Sequence, residues 1–369
     1  METGIDSGFS SFDKAVRERL LDDFEKETSC FNLHCHSFYS YNGYGLSPTA
    51  LAVLAKKNNW RCVGMVDFDV LDGVDEFLAA CRRLSLRGIA GMETRVFIPE
   101  LAKDEINSPG EPGIAYHLGY GFAKAAVPAQ AEPFARLLRE KARERTRRIV
   151  TLVNGFLQEI ALDFDEVAAA YTPAGNVTER HVCLAYRVAA EKRFADPNER
   201  RAYWTQKLGS FEENPVKLEA LIRSKTMKKG GVGYVQATAD AFPTLDEMNA
   251  FVAACGAVPT VAWLNGLSDG EKDPGKLLDL HIAHGAGAIT LIPDRNWNVA
   301  DAAKKEALLA AMARFVDAAE ERGLPILIGT EMNAPGQKLA DDLTVPELAP
   351  FRSVFVKGLD AFEAKRAGK

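Results

Sequence analysis

The sequence predicts an α/β fold, a parallel TIM-like barrel of about seven βα units interrupted by one helical insertion. Two patterns support this prediction. Short apolar runs alternate with amphipathic helical segments in both halves of the chain. Between about residues 128 and 230, the strand pattern disappears and helical periodicity replaces it. A chain of 369 residues is long enough for one large barrel with such an insertion.

The chain before the insertion is predicted to contain a helical extension and the first four strands. Residues 1–29 form the extension, because apolar side chains recur there every four residues, at Phe12, Val16, Leu20 and Phe24. The barrel is expected over residues 30–369. Its first candidate strands are 30–36, 62–66, 89–98 and 114–119. Ser47-Pro48 predicts a helix start between the first two strands, with proline at the first helical position.

The insertion contains two basic stretches. Residues 141–148, Lys-Ala-Arg-Glu-Arg-Thr-Arg-Arg, are interpreted as the solvated face of a helix that is buried through its apolar positions. The alternative is a positively charged lid over an anionic substrate. Residues 228–233, Lys-Lys-Gly-Gly-Val-Gly, do not have the spacing of a phosphate-binding loop and are interpreted as a linker.

The barrel pattern resumes after the insertion. Thr244 and Glu247 have the spacing of a capping box and predict a helix start. The remaining candidate strands are 258–262, 288–292 and 324–329. His281 and His284 share one face of the helix predicted before the strand at 288–292, and a structural role is favoured for them.

Composition narrows the class of protein. Hydrophobic residues make up 47% of the chain and charged residues 26%, which is typical of a folded globular protein. The net charge of −6 argues against a dedicated binder of nucleic acid or of an anionic membrane. The first 29 residues contain no apolar segment of the signal-peptide type, and no C-x-x-C pair occurs among the six cysteines. We therefore expect a cytoplasmic protein with reduced thiols.

Potential metal ligands occur near the ends of the predicted strands. His34 and His36 are two residues apart, so in a strand both imidazoles point the same way and can reach one ion. The other candidates are Asp67, Glu93, His117, Trp263, Asp294, Glu331 and Asn333. Imidazole and carboxylate groups together are ligands for zinc, manganese or iron(II). The carboxyl ends of barrel strands share one face, so the sequence predicts a divalent metal site there.

These motifs resemble the polymerase-and-histidinol-phosphatase (PHP) domain family. The resemblance covers roughly residues 30–335 and matches the insertion poorly. It is carried by the segments 34–37 (His-Cys-His-Ser), 66–73 (Val-Asp-Phe-Asp-Val-Leu-Asp-Gly), 91–93 (Gly-Met-Glu) and 117–120 (His-Leu-Gly-Tyr), and by the order from Thr244 through Ala262 to Glu331. It implies a distorted (β/α)7 barrel with up to three metal ions that hydrolyses phosphate esters. It also implies a first ion held by His34, His36, Glu93 and Glu331, and a second held by Glu93, His117 and a further histidine.

The chain departs from the family pattern at several ligand positions. Phe68, Trp263 and Asn333 stand where the family has histidine, and Tyr41 or Asn42 stands where it has an acidic residue or histidine. The resemblance therefore implies one well-formed metal site and a second, weaker one, which His181 would complete if it folds over the site. A histidine near the substrate is also frequent in the family, which makes His181 a candidate substrate-binding residue.

The sequence thus predicts a metal-dependent phosphoesterase that hydrolyses a small phosphorylated molecule through a hydroxide generated by the ion. Asp67 is expected to contribute to catalysis by orienting a ligand histidine. The main alternative is a catalytically degenerate PHP-like binding or scaffold protein, with Phe68 and Trp263 filling the space of the missing ions. An amidohydrolase-type enzyme is disfavoured, because the bridging candidate is Glu93 and no lone aspartate follows the last strand.

Overall fold

The computed structural model describes residues 30–367 of the chain. The predicted N-terminal helix with Phe12, Val16, Leu20 and Phe24 lies outside the described residues. The described part contains one seven-stranded sheet whose strands follow chain order. The strands are β1 (Phe31–Cys35), β2 (Cys62–Phe68), β3 (Arg87–Phe97), β4 (Ile114–Tyr120), β5 (Val258–Trp263), β6 (Ala288–Leu291) and β7 (Ile326–Ile328). The predicted barrel-like α/β fold is confirmed.

One strand runs against the predicted parallel direction. β4 is antiparallel to both β3 and β5, whereas all other neighbouring pairs are parallel. A parallel connection needs a crossover element, usually a helix. The segment between β3 and β4 contains only a short 3₁₀ turn, Pro99–Leu101, so the chain returns along the neighbouring strand in the opposite direction.

Helices pack around the sheet and form the insertion. Those before the insertion are α1 (Pro48–Lys57) and α2 (Val74–Arg83). Between β4 and β5 lie α3 (Glu132–Phe156), α4 (Phe164–Tyr171), α5 (Glu179–Arg193), α6 (Pro197–Leu208), α7 (Pro215–Thr226) and α8 (Leu245–Ala254). The last four are α9 (Pro274–Ala283), α10 (Asp294–Trp297), α11 (Ala302–Glu321) and α12 (Arg352–Ala367). Across residues 30–367, no helix combines the length and apolar character that crossing a bilayer requires.

The insertion has an apolar cluster of its own. Buried side chains from α3 to α7, including Val153, Tyr186, Trp204 and Ile222, pack together separately from the core around the sheet. A separate cluster stabilises these helices against one another. The rest of their surface can therefore carry polar groups toward the barrel.

The seam between β1 and β7 is closed by the side chain of Asn32. Its Nδ2 donates to Thr330 Oγ1 at 2.7 Å, to Thr330 O at 3.0 Å and to Leu339 O at 2.8 Å. Its Oδ1 accepts from the backbone N–H groups of His34 at 2.8 Å and Thr330 at 3.0 Å. The backbone N–H of His36 also donates to Glu331 O at 3.0 Å. This network holds the segment with the paired histidines against the segment that follows β7.

We expect Asn32→Ala to lower the free energy of unfolding by about 3 kcal/mol, because it leaves several buried backbone groups without partners. Urea denaturation at pH 7.5 measures the change. Asn58→Ala is the control, since that exposed amide makes one hydrogen bond to Leu54 O. A loss at Asn32 no larger than that at Asn58 would contradict the role of Asn32 in the seam.

Candidate metal site

Three of the predicted metal ligands converge at the carboxyl end of the barrel. His34 lies on β1, His36 directly follows β1, and Glu93 lies on β3. Glu93 Oε2 is 3.1 Å from His34 Nε2 and 3.2 Å from His36 Nε2. All three side chains are buried. One ligand atom from each residue lies within 4.8 Å of the others.

The triad fits a divalent ion. Ligands about 2.0–2.2 Å from a tetrahedral ion are separated by roughly 3.3 Å, close to the spacing of the Glu93 oxygen from the two imidazole nitrogens. His34 Nδ1 is buried and has no hydrogen-bond partner among the described residues. Two neutral nitrogen donors and one carboxylate suit zinc, manganese or iron(II). His34, His36 and Glu93 can therefore hold one ion.

The charges of the triad are coupled. Burial acts to raise the pKa of Glu93, but His34 and His36 outweigh it and lower this pKa to about 2. Burial acts to lower the pKa of His36, but its contact with the Glu93 carboxylate raises it overall. Glu93 is thus ionised at neutral pH, as a metal ligand must be.

Asp67 supports the triad from the opposite face of the sheet. Its carboxylate accepts hydrogen bonds from the backbone N–H and the hydroxyl of Ser37, and from Ser40 Oγ at 2.7 Å. Ser40 Oγ is also 3.2 Å from His36 Nδ1. Burial raises the pKa of Asp67, and the hydrogen bonds from Ser37 oppose this effect. Asp67 contacts the turn that carries Ser37 and Ser40, and Ser40 links it to His36, the histidine that it could orient as the sequence predicts.

Glu331 lies beside the triad but is engaged elsewhere. Its carboxylate forms an ion pair with Arg295 and accepts a hydrogen bond from the side chain of Asn333. Burial acts to raise the pKa of Glu331, but Arg295 outweighs it and the pKa is lowered. The predicted fourth ligand is therefore bound by an arginine and does not join the triad.

The structure places His117, a predicted metal ligand, away from the triad. On the antiparallel pair β3–β4, Glu93 lies opposite Leu118, so the neighbouring His117 points to the other face of the sheet. His117 Nε2 donates to Asn249 Oδ1 of α8 at 2.6 Å, and the ring stacks on His281 of α9 with centroids 6.0 Å apart. The second, weaker metal site expected at Glu93 and His117 is consequently not assembled.

His181, predicted as a substrate-binding residue or second-site ligand, lies in the first turn of α5. His181 is the third residue of α5, and its Nδ1 accepts the backbone N–H of Thr178 at 3.1 Å in a capping arrangement. Its ring lies edge-on to Tyr41, with centroids 5.0 Å apart. The preceding residue, Arg180, lines the cavity instead.

The two aromatic replacements have different positions. Phe68 stacks on His36 with centroids 4.3 Å apart, inside the site. Trp263 stacks on Phe315 of α11, with centroids 4.7 Å apart, among the outer helices. Both residues line the cavity, and Phe68 is the one that stacks on a histidine of the triad.

The triad opens onto a cavity of about 590 Å³ between the barrel and the insertion. This volume is typical of a site for a small molecule. Seven cationic side chains line it: Arg95, Arg145, Arg180, Arg223, Lys228, Lys229 and Arg295. Sequence reasoning placed Arg145 on a solvated face and assigned Lys228 and Lys229 to a linker. Side chains alternate between the two faces of a strand, and Arg95 lies two residues after Glu93 on β3. This spacing could have predicted that Arg95 faces the inside of the barrel as Glu93 does.

Comparisons with known proteins support the fold. The sequence matches no protein-family model and no curated protein. The structure is similar to that of an amidohydrolase from Chromobacterium violaceum, with a TM-score of 0.58 and 18% identity over 88% of this chain and 96% of the other. It is also similar to a proposed metal-dependent phosphoesterase from Bifidobacterium adolescentis, with a TM-score of 0.55 and 19% identity over 87% of this chain and 95% of the other. At these identities the similarity establishes a shared fold.

Proposed function

We propose that this protein is a metal-dependent hydrolase of a small phosphate ester. The observation that carries the proposal is the placement of His34, His36 and Glu93 in a cavity lined by arginine and lysine side chains. The name of the Bifidobacterium adolescentis neighbour includes the same activity, and the Chromobacterium violaceum structure contains bound sulfate, a tetrahedral oxyanion like phosphate.

The chain's own residues have distinct parts in this function. His34, His36 and Glu93 would hold the ion, which when bound supplies Lewis acidity and an activated water at neutral pH. Asp67 acts through Ser40 on His36 and fixes the orientation of its imidazole. Arg295 and Arg180 lie beside Glu331 and Asn333, where their guanidinium groups can neutralise charge on the phosphoryl oxygens.

Two contacts favour a second candidate, a binding protein without catalysis. The carboxylate of Glu331 is paired with Arg295, and Phe68 covers one face of the His36 ring. Both contacts reduce the room for further ions around the triad. A protein of this kind would retain the anion-binding cavity and bind a phosphorylated molecule without hydrolysing it.

Metal analysis and a phosphate-ester assay separate the two candidates. We expect purified protein to contain about one equivalent of metal and to release phosphate with Mn²⁺, Zn²⁺ or Fe²⁺. His34→Ala should lower kcat/KM at least ~100-fold, since it removes a ligand. His284→Ala is the matched control, because this partly exposed histidine pairs with Asp246 and Glu100 outside the site. Substoichiometric metal, or equal activity in both variants, would contradict the proposal.

A further inference from the structure

The wall of the cavity formed mainly by the insertion carries more positive than negative charge. Apart from Arg295, six cations line the cavity: Arg95, Arg145, Arg180, Arg223, Lys228 and Lys229. Three carboxylates accompany them: Asp69, Glu111 and Glu179. Charges in a concave site of low dielectric interact more strongly than in water, so this excess favours an anionic occupant.

The carboxylates orient the cations but do not neutralise all of them. Glu179 Oε2 accepts from both Arg223 Nε and Lys228 Nζ, each at 2.7 Å, so one negative charge serves two cations. Glu111 Oε2 is 2.6 Å from Arg95 Nη1, and Asp69 Oδ2 is 3.3 Å from Arg145 Nη2.

Two cations of this wall form no ion pair with a carboxylate among residues 30–367. Arg180 Nη2 donates to the neutral Asn333 Oδ1 at 3.3 Å, with Glu331 close enough to influence its charge, and Lys229 lies outside every ion pair of this part of the chain. Burial and the nearby Arg95 guanidinium lower the pKa of Arg145, and burial lowers that of Lys228. Both shifts have the direction that burial of a cation produces, and the nearby Asp69 and Glu179 offset it only in part.

The arginines nearest the barrel are also fixed in direction. The guanidinium groups of Arg95 and Arg145 lie over the ring of Phe242, with their Cζ atoms 4.2 and 4.8 Å from its centroid. Stacking on an aromatic ring restricts the rotation of each guanidinium while leaving N–H groups free to donate. The wall is thus prearranged to receive oxygen atoms.

The cavity wall begins close to the triad. Arg95 lies two residues beyond Glu93 on the inward face of β3, which places their Cα atoms about 7 Å apart along the strand. An ester group at the triad and a second group a few bonds away would therefore contact both ends of the cavity together.

We propose that the insertion wall is a subsite for a second anionic group, so that the substrate is a phosphate ester that also carries a phosphoryl or carboxylate group. The proposal rests on the proposed function in placing the reacting phosphate at His34, His36 and Glu93. Arg145 and Lys229 bind the second group, and no chemical step occurs at that end. The insertion is then the part of the chain that selects the substrate.

Binding of phosphonates tests this proposal without depending on turnover, because their carbon–phosphorus bond resists hydrolysis. The probes are propylphosphonate, 3-phosphonopropanoate and propane-1,3-diylbisphosphonate, titrated by calorimetry into full-length protein loaded with Mn²⁺. We expect at least one of the two probes with a second anionic group to bind ~10–100-fold more tightly than propylphosphonate, the value of one or two charged hydrogen bonds. Whichever of these two probes binds more tightly shows whether the second group is a carboxylate or a phosphoryl group.

Single substitutions test whether the insertion wall is responsible for the tighter binding of these probes. Arg145→Gln and Lys229→Gln should each reduce the preference for the probe with two anionic groups about tenfold and leave propylphosphonate binding unchanged. Lys229 is exposed, so its variant is expected to fold normally even if Arg145→Gln does not. Arg148→Gln is the control, because Arg148 is an exposed arginine one turn further along α3 that does not line the cavity.

Equal affinity for all three probes, or equal losses in Lys229→Gln and Arg148→Gln, would overturn the subsite. The outcome is distinguishable from a failure of the proposed function. If the protein prefers a probe with two anionic groups and Lys229→Gln removes that preference, the subsite is supported even if no ester is hydrolysed. Hydrolysis of simple phosphate esters without such a preference would uphold the function and reject the subsite.

Discussion

Glu93→Gln is expected to weaken the binding of Mn²⁺ or Zn²⁺ more than ~100-fold. Glu93 is the only carboxylate in the triad, and its Oε2 lies 3.1 and 3.2 Å from the two histidines. Residues that merely orient a ligand already contribute about 10–100-fold to metal affinity, so loss of a ligand has a larger effect. Calorimetric titration of metal-free protein at pH 7.5 measures the change. The wild-type affinity should fall as the pH falls, because protonated histidine cannot bind metal.

Glu111→Gln is the matched control for this prediction. Glu111 is a buried carboxylate that lines the same cavity, but it pairs with Arg95 and accepts from Ser108 Oγ. Its amide variant should bind metal like the wild type. Comparable losses in Glu93→Gln and Glu111→Gln would mean that the general charge of the cavity, and not the triad, determines metal affinity.

The stacked pair His117–His281 is expected to make the protein sensitive to acid. Burial lowers the pKa of His117 to about 4, although its hydrogen bond to Asn249 opposes this, and burial lowers that of His281 to about 3. In the unfolded chain both would titrate near 6.5. At a pH between the folded and unfolded pKa values, the unfolded state binds more protons than the folded state. The contribution of the two histidines to the free energy of unfolding is therefore fully present above about pH 6.5 and declines as the pH falls. Each histidine contributes a slope of about 1.4 kcal/mol per pH unit.

His281→Leu isolates this contribution. Urea denaturation of metal-free protein from pH 7.5 to 4.5 should show a pH dependence of stability that is shallower in this variant than in the wild type by about 1.4 kcal/mol per pH unit. His284→Gln is the control. Asp246 raises the pKa of His284, so its contribution has the opposite sign and the variant should show no shallower dependence. Parallel curves for wild type and His281→Leu would show that His281 does not stay neutral in the folded state.

Local patterns were enough to predict the elements and the centre of the site. The capping box of Thr244 and Glu247 begins α8, and Ser47 caps α1, both as predicted. The seven strands were located from short apolar runs. His34 and His36 converge because two positions in a strand share a face, a property that depends only on neighbouring residues.

Strand direction was not available from local pattern, and it decided the position of His117. β4 itself, Ile114–Tyr120, is a short buried run like the parallel strands, so its own residues do not indicate its direction. Its antiparallel course follows from the short 3₁₀ connection, and the pairing of Glu93 with Leu118 then sets which side chains face inward. A difference of one residue in register transfers every side chain of a strand to the other face.

The sequence by itself determined the barrel-like fold, the paired histidines and the helical character of the insertion, because these follow from residue spacing over a few positions. Only the tertiary structure decided that Arg145 faces a cavity while Arg148 on the same helix is exposed, and that Arg295 pairs with Glu331. A helical pattern defines an apolar face but not what its polar flank will contact. The contacts of the polar side are decided by packing between segments that are far apart in the chain. In this protein, that packing places the insertion over the triad.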